Sequence, residues 1–85
     1  MKKVEIYTTP ICGFCHAAKR LLTNKGVAFE ESNVMMSSSK RAEMLERSGG
    51  RTSVPQIFIG GEHVGGFDEL SDLEFDEKLD AMLAA

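Results

Sequence analysis

Short apolar runs and amphipathic stretches alternate along this chain, and their order predicts β-α-β-α-β-β-α. Val4 to Thr8 alternates and is rich in β-formers, so it reads as the first strand. From about Phe14 to Asn24 the apolar residues Ala17, Ala18, Leu21 and Leu22 recur at helical spacing, with Lys19 and Arg20 outside; Gly26 stops the helix. Val27 to Asn33 holds a short strand around Phe29, and Ser37-Ser38-Ser39 is a polar loop with capping chemistry. Lys40 to Ser48 is a charged helix with Ala42, Leu45 and Met44 as its inward residues, ended by Gly49-Gly50. Gln56 to Ile59 and Glu62 to Val64 are strands joined by a Gly60-Gly61 hairpin turn. From Asp68 to the end Leu70, Leu73, Leu79, Met82 and Leu83 mark helix, broken near Phe75-Asp76. Met35-Met36 reads as packing and His63 as surface.

The turn between the first strand and the first helix carries Cys12-Gly13-Phe14-Cys15, which holds both cysteines of the chain. Positions i and i+3 of a first helical turn share one face, so two sulfurs there can bond across a short loop. The first sulfur also lies at the positive end of the helix dipole, near amides without an intrahelical partner. The thiolate is the nucleophile of thiol–disulfide chemistry, and this placement favours it. Cys12, nearer the strand end, is the expected nucleophile; Cys15, one turn in, is the expected resolving thiol. Two other readings of the motif fare worse. Structural zinc needs four ligands, and only His16 and His63 remain beside the pair. Cys12 to His16 matches the c-type haem attachment pattern, but the alternating strands and helices do not suit a small helical cytochrome.

At 85 residues the chain is expected to form a single domain, residues 1–85. The net charge of −3 gives no basic face for nucleic acid. No segment is long and apolar enough to span a membrane, and one close cysteine pair is too little for a secreted disulfide scaffold. These features lead to the expectation of a cytoplasmic protein, without nucleic-acid or membrane partners, working as a monomer.

Three motifs in order, Cys12-Gly13-Phe14-Cys15, Thr52-Ser53-Val54-Pro55 and Gly65-Gly66-Phe67-Asp68, make the whole chain resemble a bacterial dithiol glutaredoxin. The resemblance implies an α/β thioredoxin fold, a four-stranded mixed sheet flanked by helices. It implies a glutathione-dependent oxidoreductase that reduces protein disulfides and glutathionylated proteins through Cys12 and Cys15, with glutathione as co-substrate. It further implies a cis bond before Pro55, with Val54 offering its N–H and C=O to glutathione as an added strand would. The amides of Phe67 and Asp68 are expected to hold the γ-glutamyl carboxylate, a ligand a helix N-terminus favours. The Asp68 side chain is expected to take the amino group and to act as N-cap as well. Phe14, Ser53, Pro55, Gly66 and Arg51 complete the expected glutathione site.

The chain departs from that pattern in places. Gly13 and Phe14 stand where the dithiol members usually have Pro and Tyr, and Thr9 stands where a lysine is common. Arg47 or Arg51 is then the candidate for the glycyl carboxylate. Gly13-Phe14 also resembles the loop of monothiol glutaredoxins, although Cys15 replaces their serine and the chain has no tryptophan. Two alternatives follow: a dimeric carrier of a [2Fe-2S] cluster held by Cys12 and glutathione, and a redoxin reduced by thioredoxin reductase.

Overall fold

The structure is a computed structural model and describes residues 1–84. Its strands are β1 (Val4–Thr8), β2 (Glu30–Asn33), β3 (Gln56–Ile59) and β4 (Glu62–Gly65), in the sheet order β2-β1-β3-β4. β1 pairs β2 in parallel and β3 antiparallel, and β3 pairs β4 antiparallel, so the sheet is mixed. The helices are α1 (Gly13–Asn24), α2 (Ser38–Arg47), α3 (Phe67–Phe75) and α4 (Leu79–Leu83). The expected break near Phe75-Asp76 is real and yields the separate α4. Helix ends at Leu83, Ala84 is extended, and the last residue lies outside the described ones. No helix among the described residues is long and apolar enough to cross a membrane.

Strand alternation divides the core in two. Val4, Ile6, Ile57 and Ile59 face one side of the sheet, where Ala18, Leu22, Leu70, Leu79 and Leu83 from α1, α3 and α4 cover them. Tyr7 and Phe58 face the other side and meet Val34 and Met44 of a smaller cluster. Polar contacts complete this thin layer. Arg47 donates to both carboxylate oxygens of Glu5 at 3.0 Å and to the Tyr7 hydroxyl at 2.8 Å. Its guanidinium also sits 4.1 Å from the Phe58 ring centroid, a cation–π contact. The Tyr7 hydroxyl in turn donates to Glu43.

Several expectations need correction. Phe29 precedes β2 rather than centring it. Gly26 has φ +72°, and Val27 N–H still donates to Leu22 O at 2.9 Å, so the chain is closing α1 there. Helix α2 starts at Ser38 with Ser37 as N-cap, whose hydroxyl accepts from Lys40 N–H. Ala42 is exposed, and Met44 is the buried residue of α2. Met35 and Met36 do not pack. Asn33 Oδ1 accepts from both their amides, at 2.9 and 3.2 Å, and the turn it makes leaves both side chains exposed. His63 is half-buried rather than on the surface, because its pairing with Phe58 brings the two rings to 4.9 Å.

Candidate functional site

Strand β1 delivers the chain to Thr8, and Thr9-Pro10-Ile11 turns it into α1. The exposed His16 ring lies 3.3 Å from Pro10 O and braces that turn. Cys12 is the N-cap of α1, with extended backbone at φ −104° and ψ 111°. Its sulfur does what a serine or aspartate oxygen does at other caps: it accepts the Cys15 N–H, at 3.1 Å. Its thiol also reaches Val54 O at 3.5 Å. Cys12 is half-buried and Cys15 fully buried, and both are free thiols. Burial, aided by the nearby Cys12 sulfur, pushes the Cys15 thiol up to about 12. The two cysteines therefore differ in access, as their places relative to the helix start suggested.

The loop from Gly49 to Pro55 brings the second motif alongside. The Val54–Pro55 bond is cis. The β1–β3 ladder begins at the Tyr7–Gln56 pair, which leaves Val54 outside it. Its polar backbone groups are thus not used by that pairing. Gly66 comes close to Pro55: a Cβ on that glycine would lie 3.4 Å from Pro55 O. Gly65 has φ +123°, and a Cβ there would lie 2.3 Å from Glu69 Oε1.

Helix α3 starts at Phe67 with Gly66 as N-cap. Asp68 is therefore not the cap; it is the second helical residue, exposed in the first turn. The capping group is Glu69, whose Oε1 accepts the Gly66 N–H at 2.6 Å. By position, the amides of Phe67 and Asp68 lack intrahelical acceptors and mark an anion-favouring end. Glu69 also pairs with Arg51 at 3.5 Å. Its signal in the sequence was an acidic residue three places after a helix-starting glycine.

Phe14, Arg51, Ser53, Val54, Pro55, Gly66, Phe67, Asp68 and Glu69 line one cleft of about 140 Å³. The structure thus gathers all the expected glutathione residues and adds Glu69. Phe14 is 64% exposed and stacks on Phe67, ring centroids 6.1 Å apart. Of the two candidate arginines, Arg51 lines the cleft, whereas Arg47 is committed to Glu5 and Tyr7. Among the described residues no group of three or more His, Cys, Asp and Glu could hold a metal ion.

A family model described as glutaredoxin matches residues 4–64. Glutaredoxin 3 of Escherichia coli is 51% identical over 83 residues, which are 98% of this chain and 99% of that one. The solution structure of glutaredoxin from Brucella melitensis is 52% identical with a TM-score of 0.84, covering 98% of this chain and 89% of that one. The crystal structure of a buckwheat glutaredoxin–glutathione complex is 28% identical with a TM-score of 0.86, covering 96% and 76%. With a free dithiol at the head of α1 and this agreement in sequence and fold, the chain belongs to the glutaredoxin family of thiol–disulfide oxidoreductases.

Proposed function

We propose that residues 1–85 act as one monomeric, cytoplasmic glutaredoxin domain that uses glutathione to reduce protein disulfides and glutathionylated proteins. Cys12 is the nucleophile and Cys15 the resolving thiol. The observation that carries this reading is the Cys12 sulfur, half-exposed at the α1 N-terminus and 3.5 Å from Val54 O on the wall of the cleft.

The chemistry conserves atoms and electrons throughout. The Cys12 thiolate attacks the glutathione sulfur of a mixed disulfide. The sulfur–sulfur bond to the target breaks, and the target leaves as a thiolate that takes up a proton. Cys12 now carries glutathione. A second glutathione thiolate attacks the carried sulfur, which releases Cys12 and forms glutathione disulfide; one incoming glutathione thiol is oxidised for each target thiol released. On a protein disulfide, Cys12 forms the mixed disulfide with the target and Cys15 attacks Cys12 Sγ, leaving an internal disulfide.

Glutathione fits the cleft by its chemistry. Val54 offers strand-like backbone groups, the α3 N-terminus suits the γ-glutamyl carboxylate and Asp68 suits the amino group. Arg51 suits the glycyl carboxylate. The buckwheat neighbour is itself a glutathione complex. Reduction of a glutathione mixed disulfide is the test. Activity with glutathione and glutathione reductase supports the reading; activity with thioredoxin reductase alone overturns it.

Gly13 favours a second reading beside the first. A Cβ at Gly13 would meet nothing within 4 Å, so the surface beside Cys12 is open. A [2Fe-2S] cluster needs thiolate ligands. This chain offers Cys12, and the remaining ligands would come from glutathione and a second copy. Anaerobic reconstitution with iron, sulfide and glutathione tests this: a coloured dimer supports it and a colourless monomer overturns it.

A further inference from the structure

Gln56 is fully buried, although it is polar and stands at the start of β3, directly after the Val54–Pro55 pair. A buried amide is costly unless its donors and acceptor are met. Gln56 meets them in one direction. Nε2 donates to Ser53 O at 2.9 Å and to Ser53 Oγ at 3.2 Å. At the other end Gln56 Oε1 lies 2.7 Å from His63 Nε2. A carbonyl only accepts, so Ser53 O fixes the amide nitrogen on its side. The amide oxygen then faces His63, and His63 must carry its proton on Nε2. The His63 ring is itself held against Phe58, 28° from parallel.

The segment Arg51–Pro55 precedes the β3 ladder. Side chains tether it at Arg51, through Ser48 at 3.1 and 3.2 Å and the Glu69 ion pair, at Ser53, through Gln56, and at Val54 O, which the Cys12 thiol reaches at 3.5 Å. The Gln56–Ser53 tether spans Val54 and Pro55. We propose that Gln56 is a positioning residue for the glutathione cleft, a buried clamp that, oriented by His63, fixes Ser53 and so aims the Val54 backbone. This rests on the reading that glutathione lies along Val54. Gln56 is not one of the cleft-lining residues, so its effect passes through Ser53 and the loop.

The Gln56→Met variant keeps length and removes both ends of the clamp. Gln56→Glu keeps an acceptor facing His63, replaces the donors to Ser53 with an acceptor and adds a carboxyl charge. Both should raise the KM for glutathione about tenfold, the size of one lost buried hydrogen bond. The kcat at saturating glutathione and the rate at which iodoacetamide alkylates Cys12 should stay within about twofold. A residue that merely fills the core would instead lower stability, kcat and alkylation together and leave KM in place, which overturns the proposal. A parallel measurement separates the two readings. Glutathione and mercaptoethanol are each coupled to Cys12 of a Cys15→Ser protein. The Val54 amide resonance should shift further with glutathione, which alone carries a peptide. Equal shifts overturn the glutathione reading and the clamp with it. A larger glutathione shift with unchanged KM in both variants overturns the clamp alone.

Discussion

The backbone N–H of Cys15 donates to the Cys12 sulfur at 3.1 Å, while the Cys15 side chain itself is fully buried. One cysteine supports the other through its main chain and holds its own thiol out of reach. Replacing Cys15 by serine leaves that amide in place. Cys15→Ser should therefore keep most activity on glutathione mixed disulfides and lose activity on protein disulfides. Cys12→Ser should lose both. Equal losses from the two variants in a mixed-disulfide assay would refute this division of roles.

Burial raises the Cys15 thiol to about 12, so little of it is thiolate at neutral pH. Its attack on a Cys12 mixed disulfide should accelerate about tenfold per pH unit from neutral into the alkaline range. Stopped-flow formation of the internal disulfide measures this. A plateau near the ~8.5 of a free cysteine would show that burial does not hold the proton.

Asp68→Ala should raise the KM for glutathione several-fold. An exposed, charge-assisted contact is worth about 1 kcal/mol. Stability should fall by no more than about 0.3–1 kcal/mol, the value of a first-turn carboxylate near the helix dipole. The reason is that Glu69, not Asp68, meets the Gly66 N–H. A large drop in Tm with unchanged KM would return Asp68 to a capping role.

Gly65→Ala introduces a side chain at φ +123° and sets its Cβ against Glu69 Oε1. The expected cost is about 1–3 kcal/mol, with a raised KM as Glu69 moves away from Gly66 and Arg51. Gly61→Ala is the control. It also has positive φ, +83°, but a Cβ there would meet nothing within 4 Å. Chemical denaturation should rank Gly65→Ala as the worse of the two.

Glu5 titrates below its ordinary value, chiefly because Arg47 donates to its carboxylate. The unfolded chain then binds this proton at a higher pH than the folded one. The stabilisation is present above the ordinary value of 4.5 and is lost as pH falls through the folded value. Glu5→Gln should cost about 1–2 kcal/mol at neutral pH and flatten the acid limb of the stability curve. Identical acid limbs for the two proteins would contradict the linkage.

The dithiol was legible because its chemistry depends on local spacing, whereas the cis proline and the glutathione contacts around Gly66 to Asp68 were legible only through the resemblance to glutaredoxins. The strands were legible where alternation buries both faces, as in β1 and β3. Expectations failed where a distant partner decides. His63 is drawn inward by the Phe58 register of β4 and by Gln56. Ala42 faces out because Met44 sets the buried stripe of α2, and Arg47 anchors that helix by charge rather than by apolar contact. Met35 and Met36 look like core residues by type, but the Asn33 turn decides their direction. Asp68 has the composition of a cap, and only the backbone angles of Gly66 move the helix start ahead of it.

The order β2-β1-β3-β4 leaves two open rims, each a strand of four residues. An open rim is a template on which another chain can add. On β2 the side chains of Glu30 and Glu31 are exposed, and each carboxylate is paired with a lysine, Lys3 and Lys19 respectively. On β4 the rim opens with Glu62 and closes at Gly65. Strands this brief, edged with charge, resist stacking against their own kind. Such edges give crowded copies of this chain little purchase for joining sheet to sheet.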